Sequence, residues 1–267
     1  MKRLTSGIKS ILPQLVRTIN PIRNKLFNLK CLVEADKPCT EYEGLIHYVW
    51  TSIQNIPCPY NYQKKIKQTK VIYPNARFMF WDNKRIDNFL SSGKMNSSYK
   101  EQYYKINKSI MRADFIRYLI VYYYGGIYSD FNVVHVKCIP FEENEVLFCE
   151  AILSDGLREG TSLYKIRQYA NKKHKYPLKE CKKRIYNGVF YSKSAFNYII
   201  KLFIEESMFR LKNYSYKITD SYDVIFLTGP DVVSHVIDRI EYNNVYDDIY
   251  FRKNRFEQSS WRSSFEL

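Results

Sequence analysis

At 267 residues the chain is long enough to bury a sizeable core in one large domain, or in a domain with an appendage. A composition of 45% hydrophobic and 16% aromatic residues excludes intrinsic disorder. The net charge of +15 fits anionic partners such as phosphates, nucleotides, nucleic acid or acidic lipid surfaces, or simply a solvated lysine-rich surface.

Residues 1–43 read as a basic leader. Lys2, Arg3, Lys9, Arg17, Arg23, Lys25 and Lys30 all precede the first acid, Glu34, and Ile8, Ile11, Leu12, Leu15 and Ile19 lie between them. Such a segment suits peripheral contact with an anionic membrane through residues 1–30, or a short helix docked on the domain. Its apolar positions are too interrupted for a signal peptide, and no run reaches the length of a membrane span, so a cytoplasmic location is expected. Six cysteines without a C-x-x-C pair need no disulfide framework in a chain of this length and favour a reducing compartment.

From residue 44 the pattern is α/β. The continuous apolar run "LIHYVW" (45–50) predicts a central parallel strand covered on both faces. "YNYQKKIKQTKVIYP" has helical spacing and stops at Pro74, and "ARFMFWD" (76–82) predicts a second buried strand. A polar connector then leads to a helix over 110–124, with Ser109 as N-cap and Gly125 as its left-handed terminus. "GIYSDFNVVHVKCI" (126–139) reads as strand broken near Asp130-Phe131-Asn132, and "EVLFCEAIL" (145–153) as another strand. Beyond it come a basic stretch from Lys165 to Arg184, a helix-like segment over 193–208 and "YDVIFLTGPDVVSHVIDRI", an α+β remainder.

Two features of this order carry chemistry. On the nearly all-apolar helix, Asp114 and Arg117 fall about 60° apart on one face, with Arg112 on another side. Buried charges are costly unless paired or used, so they form either a structural ion pair or part of a site. Asp130 and Asn132 project from one side of a strand end, where their oxygens suit Mg²⁺ or Mn²⁺ beside a diphosphate, or simply end the strand in a turn. His47, His135, His174 and His235 lack metal-ligand spacing, and His47 reads as a satisfied core histidine.

The succession "IHYVW", "FMFWDN" and "RADFIRYLIVYYYGGIYSDFN" resembles, in order and spacing, the DXD-type glycosyltransferases of the family-32 kind, over about residues 44–142. Weaker echoes follow at "NGVFYS", "TGPDVV" and "SSW". The resemblance implies a GT-A fold: a Rossmann-like, mostly parallel nucleotide-binding sheet (44–142) with an α+β acceptor-binding remainder (143–267). It implies that Trp50 flanks the base, that Asp114, Arg117 and Tyr128 line the nucleotide-sugar site, and that Asp130 and Asn132 hold Mn²⁺ or Mg²⁺ on the diphosphate. Ser260 and Trp261 match a loop closing over the diphosphate, and Asn187 and Asp231 fall on the acceptor side. The implied activity is transfer of a sugar from a nucleoside-diphosphate donor, a UDP-sugar before GDP-mannose, to a glycan, lipid or protein hydroxyl, with retention. Where the family usually has a second acid, this chain has Asn132, so a degenerate nucleotide- or glycan-binding protein is the alternative. No helix-turn-helix, zinc finger or aromatic RNP motif is present, and nucleic acid is not an expected partner. The Tyr-, Lys-, Asn- and Ile-rich composition suggests an AT-rich genome, of a large virus or a low-GC bacterium.

Overall fold

The computed structural model describes residues 38–131, 133–135, 138, 146–150, 169, 171–175, 185–214, 218, 221–240, 245–246 and 251–253. Residues 1–37 of the basic leader, with Asn132, Ser260 and Trp261, lie outside the described residues. The first strand, β1 (Leu45–Val49), is followed by α1 (Tyr60–Ile72) and β2 (Arg77–Trp81). Next come α2 (Asn83–Leu90), α3 (Ser97–Lys105), α4 (Ser109–Tyr124), β3 (Gly126–Ser129) and β4 (Val133–His135). The remainder supplies β5 (Val146–Glu150), β6 (Ile185–Ser192), α5 (Tyr198–Tyr214), α6 (Ser221–Leu227), α7 (Pro230–Arg239), β7 (Val245–Tyr246) and β8 (Phe251–Lys253).

The main sheet has the order β2-β1-β3-β6-β5-β7, and β4 pairs with β8 in a separate ladder. β1 is parallel to both β2 and β3, as "LIHYVW" predicts for a central strand. β6 runs antiparallel to its neighbours β3 and β5, and β7 is parallel to β5. The sheet is thus mostly parallel, with one reversed strand, the α/β architecture expected of a GT-A fold. Sequence reading did not single out β6 as a strand, yet its residues are buried almost throughout.

Strand alternation divides the core. Ile46, Tyr48, Ile127, Val189 and Tyr191 pack on one face with Ile72 and Tyr73 of the α1 side. Val49, Tyr128 and Phe190 face the other way, against α4 and the helices α5 to α7. Sandwiched between sheet and helices, α4 is buried at Met111 and from Asp114 to Val121, which is why it is apolar nearly all round. Ser109 is not the N-cap: Lys108 holds that position without a side-chain bond, and the Ser109 hydroxyl accepts the Ile53 N–H at 2.9 Å. Its carbonyl takes the Thr51 hydroxyl at 2.6 Å, so the start of α4 anchors the loop after β1. The helix expected from residue 193 begins only at Tyr198, because Phe196 takes a left-handed conformation (φ 59°) and donates its N–H to Tyr122.

The double glycine has separate tasks. Gly125 ends α4 at φ 65° and Gly126 continues at φ 87°, where a Cβ would stand 2.4 Å from the Leu45 carbonyl oxygen. Gly126→Ala is expected to lose about 3 kcal/mol, combining a left-handed alanine with backbone overpacking, measured as a lower urea midpoint at unchanged slope. His47 closes this turn. The Trp81 indole N–H donates to its Nδ1 at 3.1 Å, which leaves Nε2–H to donate to the Gly125 carbonyl at 2.9 Å. Burial pushes its pKa down to about 4, so it is a neutral, satisfied core histidine.

One expectation is corrected. Cys39 and Cys138 are joined by a disulfide, with Cα atoms 5.5 Å apart and 99 residues of separation. So distant a pair leaves no spacing signal, and the case for a reducing compartment loses its basis. Among the described residues no helix is long and apolar enough to cross a membrane.

Candidate active site

In an open α/β sheet, ligands bind beyond the carboxyl ends of parallel strands, where the strand order reverses. Here the chain leaves β1 for β2 on one side and returns to β3 on the other, so the reversal lies between β1 and β3. Trp50 follows β1 there and Asp130 follows β3. The reversed β6 brings its first residues to the same edge: the Asp130 N–H donates to the Gly188 carbonyl at 2.7 Å.

Arg117 organises the crevice. Its Nη2 lies 2.7 Å from Asp114 Oδ1 and its Nη1 lies 3.3 Å from Asp130 Oδ1. Nη1 also donates to the Asn187 carbonyl at 2.9 Å, Nε to Ala113 at 3.1 Å, and the guanidinium lies 4.7 Å over the Tyr128 ring. Burial works against the charge, but the oxygens of Tyr128, Asp130 and Asp114 outweigh it and raise the guanidinium's pKa above its ordinary range.

Asp114 is enclosed. Besides Arg117, its oxygens take the Asn187 amide and the Thr228 hydroxyl, each at 3.3 Å. Tyr118 completes a ring by donating to the Thr228 carbonyl at 3.0 Å and accepting from the Asn187 amide at 3.3 Å. Burial pushes the Asp114 carboxyl up to about 7; Arg117 pulls it down and Asp130 pushes it further up. Between its ordinary value near 3.8 and about 7 the folded chain therefore holds a proton that the unfolded chain has lost. Asp114 accordingly withdraws stability as pH rises through that window. Asp114→Asn is expected to flatten this part of the stability–pH curve, read from urea midpoints between those two values.

Asp130 is the carboxylate with surface to offer: its side chain is 25% exposed, against 7% for Asp114. Tyr128 donates its hydroxyl to Oδ1 at 2.6 Å, while Oδ2 has a longer contact, 3.5 Å, from the Tyr186 hydroxyl. Gly188 makes room, since a Cβ there would stand 2.5 Å from Asp130 Oδ2. The loop is braced from behind, the Asp130 carbonyl accepting the Val133 N–H at 3.1 Å and Ser129 Oγ meeting His135 Nε2 at 3.0 Å. Trp50 is half-buried, donates its indole N–H to Ile56 at 2.9 Å, and packs beside Tyr62 and Phe131.

The structure thus gathers Asp114, Arg117, Tyr128, Asp130 and Asn187, with Trp50 at the end of the neighbouring strand β1, beside Phe131. Asp231 sits apart, fully buried, its Oδ2 2.7 Å from Arg210. Sequence reading assigned no site role to Tyr118, Tyr186, Gly188 or Thr228; the available signals were the motif run that holds Tyr118 and the echoes "NGVFYS" and "TGPDVV" that hold Gly188 and Thr228, while Tyr186 lies in none of them.

For the implied cation, Asp130 offers a hard carboxylate oxygen on a part-exposed side chain. Mg²⁺ and Mn²⁺ sites often use one or two protein carboxylates with substrate phosphates, so this donor fits. Among the described residues no group of three His, Cys, Asp or Glu side chains forms a fuller site.

An α/β sheet with a charged cluster at its switch point is a framework suited to binding a ligand there. Residues 59–153 match the family model described as the glycosyltransferase sugar-binding region containing DXD motif. That region of the chain is therefore similar to the DXD glycosyltransferases, in line with the resemblance read from the sequence. A glycosyltransferase of Acanthamoeba polyphaga mimivirus, itself uncharacterized, is 29% identical over 211 residues, spanning 77% of this chain and 68% of that protein. A solved structure, the PaToxG glycosyltransferase, is similar with a TM-score of 0.48 at 18% identity, covering 86% of this chain and 80% of that one. Trp50, Asn187 and Thr228 lie outside the family-matched span.

Proposed function

We propose that the protein transfers a sugar from a nucleoside-diphosphate donor to a hydroxyl acceptor. The supporting observation is the cluster in which buried Arg117 ties Asp114 to the part-exposed Asp130 at the switch point. A UDP-sugar is the favoured donor and retention the favoured outcome, both carried from the resemblance.

Asp130 and Asn132 would hold Mn²⁺ or Mg²⁺, which when bound stabilises charge on the departing diphosphate. The protein's own part is positioning and fixed electrostatics. Arg117 and Tyr128 hold Asp130 in one orientation toward the crevice, and Trp50 offers an aromatic face for the base. Residues 143–267 supply the acceptor side, and Ser260 and Trp261 close over the diphosphate. A viral source agrees with the mimivirus relative. Peripheral membrane contact through residues 1–30 belongs to the same reading.

A donor screen tests it, following UDP or GDP release with and without Mn²⁺. Metal-stimulated release from a UDP-sugar is the expected result; no release from any donor overturns catalysis. Asn132 favours one second reading, a degenerate binder. Calorimetric binding of UDP-sugar without turnover would support that instead.

A further inference from the structure

The transfer reading leaves a second buried ion pair unused. Arg210 of α5 is fully buried, and its Nη1 donates both to the Phe226 carbonyl and to Asp231 Oδ2, each at 2.7 Å. These two acceptors flank the turn "FLTGPD" that joins α6 to α7, so one nitrogen ties its two ends together. Nε donates to Glu206 at 2.6 Å, which fixes the guanidinium on α5, and its carbon stacks 4.6 Å over the Phe226 ring.

The turn between those ends is tight. Gly229 accommodates it, since a Cβ there would stand 2.8 Å from the Ile225 Cα, and Pro230 opens α7 with its φ already set for a helix. At the centre is Thr228, whose hydroxyl lies 3.3 Å from Asp114 Oδ2 and 3.4 Å from the Val224 carbonyl. Its carbonyl accepts the Tyr118 hydroxyl, so both polar ends of Thr228 face α4. Contacts therefore run from Arg210 through the turn to Thr228, Asp114, Arg117 and Asp130.

We infer that Arg210 and Asp231 are positioning residues for the transfer site: they hold the Thr228 turn against Asp114 and so fix the Arg117–Asp130 arrangement that receives the donor. The inference rests on the transferase reading and assigns Asp231 to positioning in place of acceptor contact. A hydrophobic pair of equal volume could fill the space between α5 and α7. It could not grip both ends of the turn, as the Arg210 Nη1 does while Nε holds Glu206.

The test uses the full chain with Thr228→Ala, Thr228→Ser, Arg210→Lys and the Arg210→Lys/Thr228→Ala double variant. Loss of a hydrogen bond to a buried carboxylate predicts a donor KM raised about tenfold in Thr228→Ala, with kcat little changed and Thr228→Ser near wild type. Arg210→Lys should raise KM in the same way, and the double variant should add little to either single one. Hydrogen exchange, which requires no turnover, should quicken in Arg210→Lys at the 226–231 turn and at Asn187 and Gly188. Full additivity, a Thr228→Ser no better than Thr228→Ala, or quickened exchange confined to 226–231 would each overturn the inference. If the wild type releases no nucleotide from any donor, the transferase reading fails, and the exchange measurement alone decides the positioning.

Discussion

Arg117→Met is expected to abolish donor turnover and to lower unfolding stability by about 3–5 kcal/mol, the cost of leaving a buried charge without its partner. The guanidinium is 4% exposed and contacts two carboxylates, two backbone carbonyls and an aromatic face. Methionine restores much of the volume and none of these contacts. Asp114 would then be buried with only the neutral donors Asn187 and Thr228, and would take up a proton. Asp130 would lose the group that, with Tyr128, fixes its direction. Adding Asp114→Asn removes the orphaned carboxylate, so the double variant should regain part of the stability and none of the activity. Urea unfolding and a donor-release assay read the two effects separately. A single-variant loss below about 1 kcal/mol, the worth of an exposed pair, would contradict the burial and pairing described.

Asp130→Asn is expected to do the opposite: stability within about 1 kcal/mol of wild type, because the side chain is a quarter exposed, and turnover reduced by about 100- to 1,000-fold. The substitution is close to isosteric, and an amide oxygen still accepts the Tyr128 hydroxyl, so charge is lost while geometry is kept. Asp130→Ala removes the oxygens as well and should end both transfer and donor hydrolysis. Mn²⁺ titration of Asp130→Asn should show a weakened requirement for the ion at any residual rate. Wild-type turnover in either variant would remove Asp130 from the site.

These two residues show how much of the site was legible. Asp114 and Arg117 announced themselves as charges on one face of a helix apolar nearly all round, and i,i+3 spacing offered an ion pair as one of two readings. The strands β1, β2 and β3 were visible as short apolar runs; β1 and β3 are covered on both faces and cannot alternate, whereas β2, expected to be buried, lies at the sheet edge with only Trp81 fully buried. Gly125-Gly126 marked the turn, and His47 read as a satisfied core histidine. Ser109 misled: serine before an apolar helix suggests a cap, yet its hydroxyl serves a loop 56 residues away.

The sequence by itself determined the α/β order of the first half, the helix carrying the buried ion pair, and the strand delivering Asp130. Periodicity, turn residues and local spacing are written along the chain, and they suffice for these. Only the tertiary structure decided that β6 inserts in reverse beside β3, that Asn187 and Thr228 enclose Asp114, and that Asp231 belongs to Arg210. It also joined Cys39 to Cys138. Each of these contacts links residues far apart in the chain, and such partners become fixed only when the sheet closes and buried polar groups must be satisfied.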